Sequence, residues 1–285
     1  MKVSFVGTGA IGLPMANRVA LGGHDVTGID PFAEARDKAG KLGIPAVATL
    51  EEAPAADVVI VMVATPAQLE TLVDDAVGSV RAQTWVIMST VGPDSIVREG
   101  ERLRKAGARV VDAPVTGGTA RAKTGELVIF ASGDAGDIDQ VSPVLGAMGT
   151  LRVGGNRLGD GQGIKVVNQH LCSVHIVAAA EALNLARSLG LDQAFVLDLI
   201  KSGAAGSWML SDRGPRMLLG NDAPVTSTIN IFVKDSGLVA GAAGSCGAEV
   251  PLLDIAKERY LTAAAQGLGQ RDDSRVIETY KNRTK

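Results

Sequence analysis

Cysteine is nearly absent: Cys172 and Cys246 are the only two among 285 residues. Two cannot build a disulfide framework, and neither lies in a C-x-x-C metal or redox pattern. Both read as small buried hydrophobes in a reducing compartment. A basic surplus is missing as well, because 28 Lys and Arg against 31 Asp and Glu leave a net charge of −3. That balance argues against a binder of nucleic-acid phosphates. No apolar run approaches the length of a membrane helix. The opening Met1-Lys2-Val3-Ser4-Phe5-Val6 reads as a strand rather than a signal peptide, so the expected setting is cytoplasmic. There is no internal repeat, low-complexity tract or collagen-like period. Aromatics are scarce at 3%. What is present is 46% hydrophobic residues, enough for a packed core, and 35 glycines, well above the usual share of about 7%. Glycine in that excess points to tight turns and close backbone approaches, as in α/β nucleotide-binding folds.

The first half alternates short β-rich runs with helical stretches. Strands are expected at 3–6, 25–29, 46–48, 58–63, 85–89, 110–112, 127–131 and 151–153, and helices at 11–21, 34–42, 66–78, 94–106 and 138–148. The run Val58-Val59-Ile60-Val61-Met62-Val63 is apolar throughout, as suits a parallel strand covered on both faces. Such alternation predicts a Rossmann-type doubly wound parallel sheet. After the glycines at 154, 155, 159, 161 and 163 nothing reads as a strand. A helix is expected over 162–188, roughly 40 Å at 1.5 Å per residue. Asp192 reads as an N-cap for a helix to 201, and further helices are expected at 208–219, 232–246 and 251–266. The division is therefore a dinucleotide-binding domain at 1–160 and an all-α substrate and oligomerisation domain at 161–285.

Gly7-Thr8-Gly9-Ala10-Ile11-Gly12 stands directly after the first strand and before a helix. Its glycines permit a tight turn, backbone approach to a pyrophosphate and close helix–strand packing, and the helix start offers N–H groups to the phosphates. Asp30 ends the second strand 18 residues beyond Gly12, where a carboxylate can accept from ribose hydroxyls and repel a 2′-phosphate. Asp30-Pro31 also fits a simple turn. Arg36 lies well inside the next helix, so NAD is expected rather than NADP. Val63-Ala64-Thr65 and Thr90 follow later parallel strands and so face the same crevice, although Thr65-Pro66 equally makes a turn.

Asp112-Ala113-Pro114-Val115-Thr116-Gly117-Gly118 follows another strand. A hydroxyl before two glycines exposes donors suited to a carboxylate, or simply makes a Gly-Gly turn. Lys165, Asn168, Gln169 and Cys172 share one face of the long helix. Lys165 is either a solvated helix lysine or, if partly desolvated at a hinge between domains, an acid–base group. His170 and His175 are too far apart around the helix for a paired metal site and read as hydrogen-bonded packing residues; no metal is expected. The small-residue stretch 236–247 allows close helix approach, within the core or against another subunit.

The blocks at 7–12 with Met15-Ala16-Asn17, 112–118, 161–169 and Phe232-Val233-Lys234-Asp235 together resemble the β-hydroxyacid dehydrogenases, the group of 3-hydroxyisobutyrate dehydrogenase, tartronate semialdehyde reductase and threonate dehydrogenase. The resemblance runs along essentially the whole chain, in order. It implies Lys165 as catalytic residue and Thr116, Gly117 and Gly118 as the carboxylate-binding segment. It implies Asn168 as a substrate contact, with Gln169 where many members carry asparagine. Thr90 and Lys234 match positions near the nicotinamide, and Trp208 lies beside the implied pocket. Gly206-Ser207-Trp208-Met209, Arg213 and residues 175–182 and 231–235 are most similar to the L-threonate branch, from which Leu210-Ser211-Asp212 departs. The resemblance also implies a homodimer or homotetramer formed through the helical domain. Reduction of an aldehyde acid, oxidation of 3-hydroxyisobutyrate and a non-catalytic NAD(H) sensor are the competing readings, while the chain is too short for a 6-phosphogluconate dehydrogenase.

Overall fold

The computed structural model describes residues 1–280. It divides into two compact units, Met1–Lys165 and a second beginning at Val166.

The first unit alternates strand and helix: β1 (Lys2–Val6), α1 (Gly12–Leu21), β2 (Asp25–Ile29), α2 (Ala33–Lys41), β3 (Ala46–Val47), β4 (Val58–Val61), α3 (Pro66–Ala76), β5 (Thr84–Ile87), α4 (Pro93–Lys105) and β6 (Arg109–Asp112). These strands are mutually parallel in the order β3-β2-β1-β4-β5-β6. The order reverses beside β1, which puts the crevice for a ligand at the carboxyl ends of β1 and β4. Neighbouring residues of β4 serve opposite layers: Val58 and Ile60 join the core with Met15 and Val19 of α1, whereas Val59 and Val61 join Leu69, Val73, Ile96 and Leu103 of α3 and α4. That two-sided burial is why β4 is apolar throughout, each fully buried valine contributing about 1.5–3 kcal/mol.

Beyond β6 the sheet departs from the expected all-parallel pattern. The chain continues through β7 (Val115–Thr116), α5 (Gly118–Thr124), β8 (Leu127–Gly133), α6 (Ala135–Gly146) and β9 (Gly149–Gly155). β8 runs antiparallel to both β6 and β7 and parallel to β9. Pro114 lacks an N–H but its carbonyl accepts from Phe130 N at 2.9 Å, so the chain changes partner between β6 and β7 without losing contact with the sheet. Neither β7 nor α5 was expected; a two-residue strand has no periodicity, and α5 opens on Gly118, the second of two positive-φ glycines.

The second unit is helical. α7 (Asp160–Ser188) starts in the first unit and continues into the second, followed by α8 (Gln193–Ile200), α9 (Trp208–Leu218), α10 (Ile229–Cys246) and α11 (Pro251–Ala263). Asp192, Ser207 and Thr228 cap α8, α9 and α10 by accepting from Phe195, Leu210 and Ile231 N–H groups. The Thr228 cap starts α10 three residues ahead of the expected Phe232. α11 gives way to a wider turn at Ala264–Leu268, where Gly267 has φ +82°, so the expected continuous helix to 266 is not formed. Phe232 and Tyr260 stack with centroids 5.2 Å apart in this unit's core, among Ile176, Ala180 and Leu183. Cys172 is half-buried and Cys246, at the end of α10, is exposed, which corrects their reading as buried hydrophobes.

Candidate active site

The glycine loop leaves β1 with three distinct backbone demands. Gly7 has φ +89°, and a Cβ there would meet Met62 O at 2.4 Å. A Cβ on Gly12 would lie 1.9 Å from Gly7 O, so the start of α1 sits directly on the strand end. A Cβ on Gly9, by contrast, would meet nothing within 4 Å. That open side and the absence of a side-chain cap on α1 suit the approach of an anionic pyrophosphate to the helix start. The residues present therefore fit a dinucleotide.

Asp30 is buried at the end of β2 and ties this loop down. Its Oδ2 accepts from Thr8 N at 2.9 Å and Thr8 Oγ1 at 3.3 Å, and its Oδ1 accepts from Phe32 N at 3.0 Å. Arg36 belongs to α2, as expected, but its guanidinium folds back to donate to Asp30 O at 2.9 Å and Pro31 O at 2.8 Å. Its place in the helix therefore does not remove it from the β2 end, a correction to the argument that set it aside. Val63, Ala64 and Thr65 follow β4, and Met62 and Val63 border Gly7. Thr65 forms a capping box with Gln68, its Oγ1 accepting from Gln68 N while Gln68 Oε1 accepts from Ala64 and Thr65 N–H groups. Its hydroxyl thus caps α3 at the turn.

β5 stops at Ile87, so Ser89, expected on the strand, lies with Thr90 on the turn before α4. Gln162 reaches this turn: its Oε1 accepts from Val91 N and Gly92 N, both at 3.0 Å, and its Nε2 donates to Ser89 O at 2.9 Å. The same Nε2 donates to Asp112 Oδ1 at 3.1 Å. Asp112 Oδ2 accepts from Ser132 Oγ at 3.2 Å, Gly159 N at 3.2 Å and Gln162 N at 2.9 Å. Burial pushes the Asp112 carboxyl up to about 6, against the lowering pull of those donors. Asp112, Ser132 and Gln162 were not singled out from the sequence as site residues. The available signal was a carboxylate at the end of a buried strand and a long amide at the start of a helix.

Thr116 sits in β7, and Gly117 and Gly118 have φ of +130° and +66°. A Cβ on Gly117 would press on Arg121, whereas Gly118 has open space beside it. Lys165 is buried on α7, one turn beyond Gln162.

Further along α7, Asn168 Nδ2 donates to Gln169 Oε1 at 2.9 Å and to Cys172 Sγ at 3.4 Å. Gln169 Nε2 donates to Asp235 Oδ2 at 2.5 Å, and Lys234 Nζ lies 2.9 Å from Asp235 Oδ1. Asn168, Gln169 and Lys234 are thereby joined within the second unit through Asp235, which was not expected to have a role of its own. Trp208 is not part of that chain of contacts; Arg213 lies over its ring at 5.6 Å. Arg213 is in turn held by Asp273 at 2.9 Å and Asp212 at 2.5 Å. His170 Nδ1 is buried without a hydrogen-bond partner, contrary to expectation. Among the described residues no group of three His, Cys, Asp or Glu side chains is arranged to hold a metal ion, and no helix is long and apolar enough to cross a membrane.

Two family models match the chain. That for the NAD binding domain of 6-phosphogluconate dehydrogenase covers residues 2–162, and that for NAD-binding of NADP-dependent 3-hydroxyisobutyrate dehydrogenase covers 159–280. The L-threonate dehydrogenase of Cupriavidus necator is 34% identical, over 98% of this chain and 96% of that protein. The 2-hydroxy-3-oxopropionate reductase of Escherichia coli is 33% identical, over 98% and 96%. A crystal structure of 3-hydroxyisobutyrate dehydrogenase from Salmonella typhimurium superposes with a TM-score of 0.91 at 30% identity, covering 98% of this chain and all of that one. The glycine loop, the reversal of strand order beside it and these full-length likenesses agree: the chain belongs to the 3-hydroxyisobutyrate dehydrogenase-like family of hydroxyacid dehydrogenases and is an NAD(P)-binding oxidoreductase.

Proposed function

We propose that this enzyme uses NAD to oxidise a small sugar-derived hydroxy acid, most like L-threonate. The observation that carries this reading is the buried Lys165 on the same helix as Asn168, in a chain whose full length resembles an L-threonate dehydrogenase. The first unit, to about residue 160, is the dinucleotide-binding domain, and the helical remainder, 161–285, serves substrate binding and oligomerisation.

When bound, NAD supplies the hydride acceptor. Gly7, Thr8, Gly9, Ala10, Ile11 and Gly12 cradle the pyrophosphate, and Asp30 with Pro31 meets the adenosine ribose. Val63, Ala64, Thr65, Thr90 and Lys234 complete the cofactor contacts. The Asp30 carboxylate disfavours a 2′-phosphate, which is the ground for NAD over NADP; Arg36 at the same strand end is the feature that opposes it. Thr116, Gly117 and Gly118 hold the substrate carboxylate with help from Asn168, Gln169 adds a further substrate contact, and Trp208 with Lys234 bounds the far end. Lys165 Nζ takes the hydroxyl proton in oxidation and returns it in reduction. Orientation of the reacting carbon supplies much of the acceleration.

A second reading, reduction of 2-hydroxy-3-oxopropionate, is favoured by the 33% identity to such a reductase, and oxidation of 3-hydroxyisobutyrate by the structural likeness to that dehydrogenase. We place the enzyme in the cytoplasm as a homodimer or homotetramer. The exposed Leu189 and Phe195, 66% and 64% accessible in the helical unit, support assembly through that unit. The test is NADH or NADPH absorbance with a panel of C3 to C6 hydroxy acids, each offered with NAD and with NADP. Turnover of threonate with NAD is the expected result. Turnover of only 3-hydroxyisobutyrate or tartronate semialdehyde moves the substrate assignment, and a silent panel with intact NADH binding identifies a sensor.

A further inference from the structure

Asp112, Ser132 and Gln162 are fully buried and come from three elements: the end of β6, the end of β8 and the first turn of α7. α7 follows Gly159, which has φ +97° and no side chain with which to cap the helix. The sheet supplies that cap instead. Asp112 accepts from the N–H groups of Gly159 and Gln162, and Ser132 Oγ accepts from Gly161 N at 2.9 Å.

The directions of these bonds restrict what each position can hold. The oxygen end of the Gln162 amide faces two N–H donors, from Val91 and Gly92, while its NH2 end faces two acceptors, Ser89 O and Asp112 Oδ1. A carboxylate at 162 satisfies only the first pair, and an apolar side chain satisfies neither. At 112 three donors converge on Oδ2 and a fourth meets Oδ1, which calls for a group that only accepts. Gln162 thereby bonds both the turn that carries Thr90 and the carboxylate that caps the helix of Lys165.

We propose that Gln162, oriented by Asp112, is a positioning residue that locks the turn at 89–92 to the first turn of α7, so that Thr90 and Lys165 are presented in one fixed register. The proposal rests on the reading of Lys165 as the acid–base group and Thr90 as a cofactor contact. Its action is on geometry alone and moves no proton to substrate.

The test has an arm that needs no activity. In the full-length Gln162→Met variant, which keeps side-chain length but removes the amide, hydrogen exchange of the Val91 and Gly92 amides accelerates at least about tenfold. In the same variant kcat falls at least about tenfold while KM for the hydroxy acid and the NADH dissociation constant change less than about threefold. Asp112→Asn sets two NH2 groups face to face, and Gln162→Glu sets two carboxylates together. The double variant D112N/Q162E restores one donor to one acceptor and regains at least about fivefold in kcat over each single change. Should Gln162→Met fail to fold, this reciprocal pair carries the test. Unchanged exchange at Val91 and Gly92, turnover within about twofold of the parent in folded variants, or no recovery in the double variant each overturn the proposal. If the parent chain itself oxidises no hydroxy acid, it is the functional reading that falls, and the exchange data still decide whether Gln162 locks the turn.

Discussion

Asp112 offers a stability test in which two physical effects compete. Burial raises its carboxyl from an ordinary value of 3.8 to about 6, although the N–H and O–H donors of Gln162, Ser132 and Gly159 favour the ionised form. Because the folded value is the higher one, the folded protein takes up a proton near pH 6 that the unfolded chain does not accept until near pH 3.8. The stability contributed by this group is therefore fully present below the unfolded value and is lost as pH rises through about 6. A gap of roughly two units at 1.36 kcal/mol per unit amounts to about 3 kcal/mol, of which about 2 kcal/mol is regained between pH 7.5 and about pH 4.5. Other carboxylates titrate in the same range, so the quantity to read is the difference between the parent and Asp112→Asn, in which only this group is silenced. Trp85 on β5 is buried in the first unit, whereas Trp208 lies on α9 in the second. Urea unfolding followed by fluorescence in a Trp208→Phe background therefore reports the first unit alone. The parent should gain about 2 kcal/mol over the Asn variant on going from pH 7.5 to about 4.5. A flat difference, or one that moves against the parent, would show that the donors and not burial set the protonation of Asp112.

Three further outcomes follow from the same geometry. Lys165→Ala should keep NADH binding, read by fluorescence titration, and lose at least about 10³-fold in turnover; near-normal turnover removes Lys165 from the acid–base role. Gly12→Ala should lower the melting temperature and abolish NADH binding, because its Cβ would fall 1.9 Å from Gly7 O, whereas Gly9→Ala, with open space around it, should weaken NADH binding at little cost in melting temperature. Equal melting temperatures for the two variants would refute the distinction drawn between packing and ligand approach. Tyr260→Phe leaves Ser173 O without the 2.9 Å hydroxyl bond it receives in the helical core, and circular dichroism in urea should find that unit destabilised by about 1–2 kcal/mol.

Signals that depend on neighbours in sequence are legible in the sequence itself. The unbroken apolar β4, the glycine loop between strand and helix, Asp30 at the second strand end, Asp192 as a helix cap and the change to helices near residue 160 are all of this kind. What could not be read depends on contacts between residues far apart. Gln162 meets Val91 at a separation of 71 residues and Asp112 at 50, and nothing in a G-Q-G triplet distinguishes a surface amide from a buried one. Gln169 is tied to Asp235 across 66 residues, a partner that no local pattern announces. Arg36 was placed correctly in its helix, yet its guanidinium lies back at the end of β2, because a long side chain folds back a full turn and more. In each case backbone periodicity located the residue, but the direction of its side chain was set by whichever buried donors and acceptors the fold left to satisfy. Polar residues at strand ends and helix starts are therefore the places where a sequence reading should expect to be incomplete. The glycines at 7, 9 and 12 were legible for the opposite reason: they have no side chain to aim, and the strand and helix they join, β1 and α1, are adjacent in sequence.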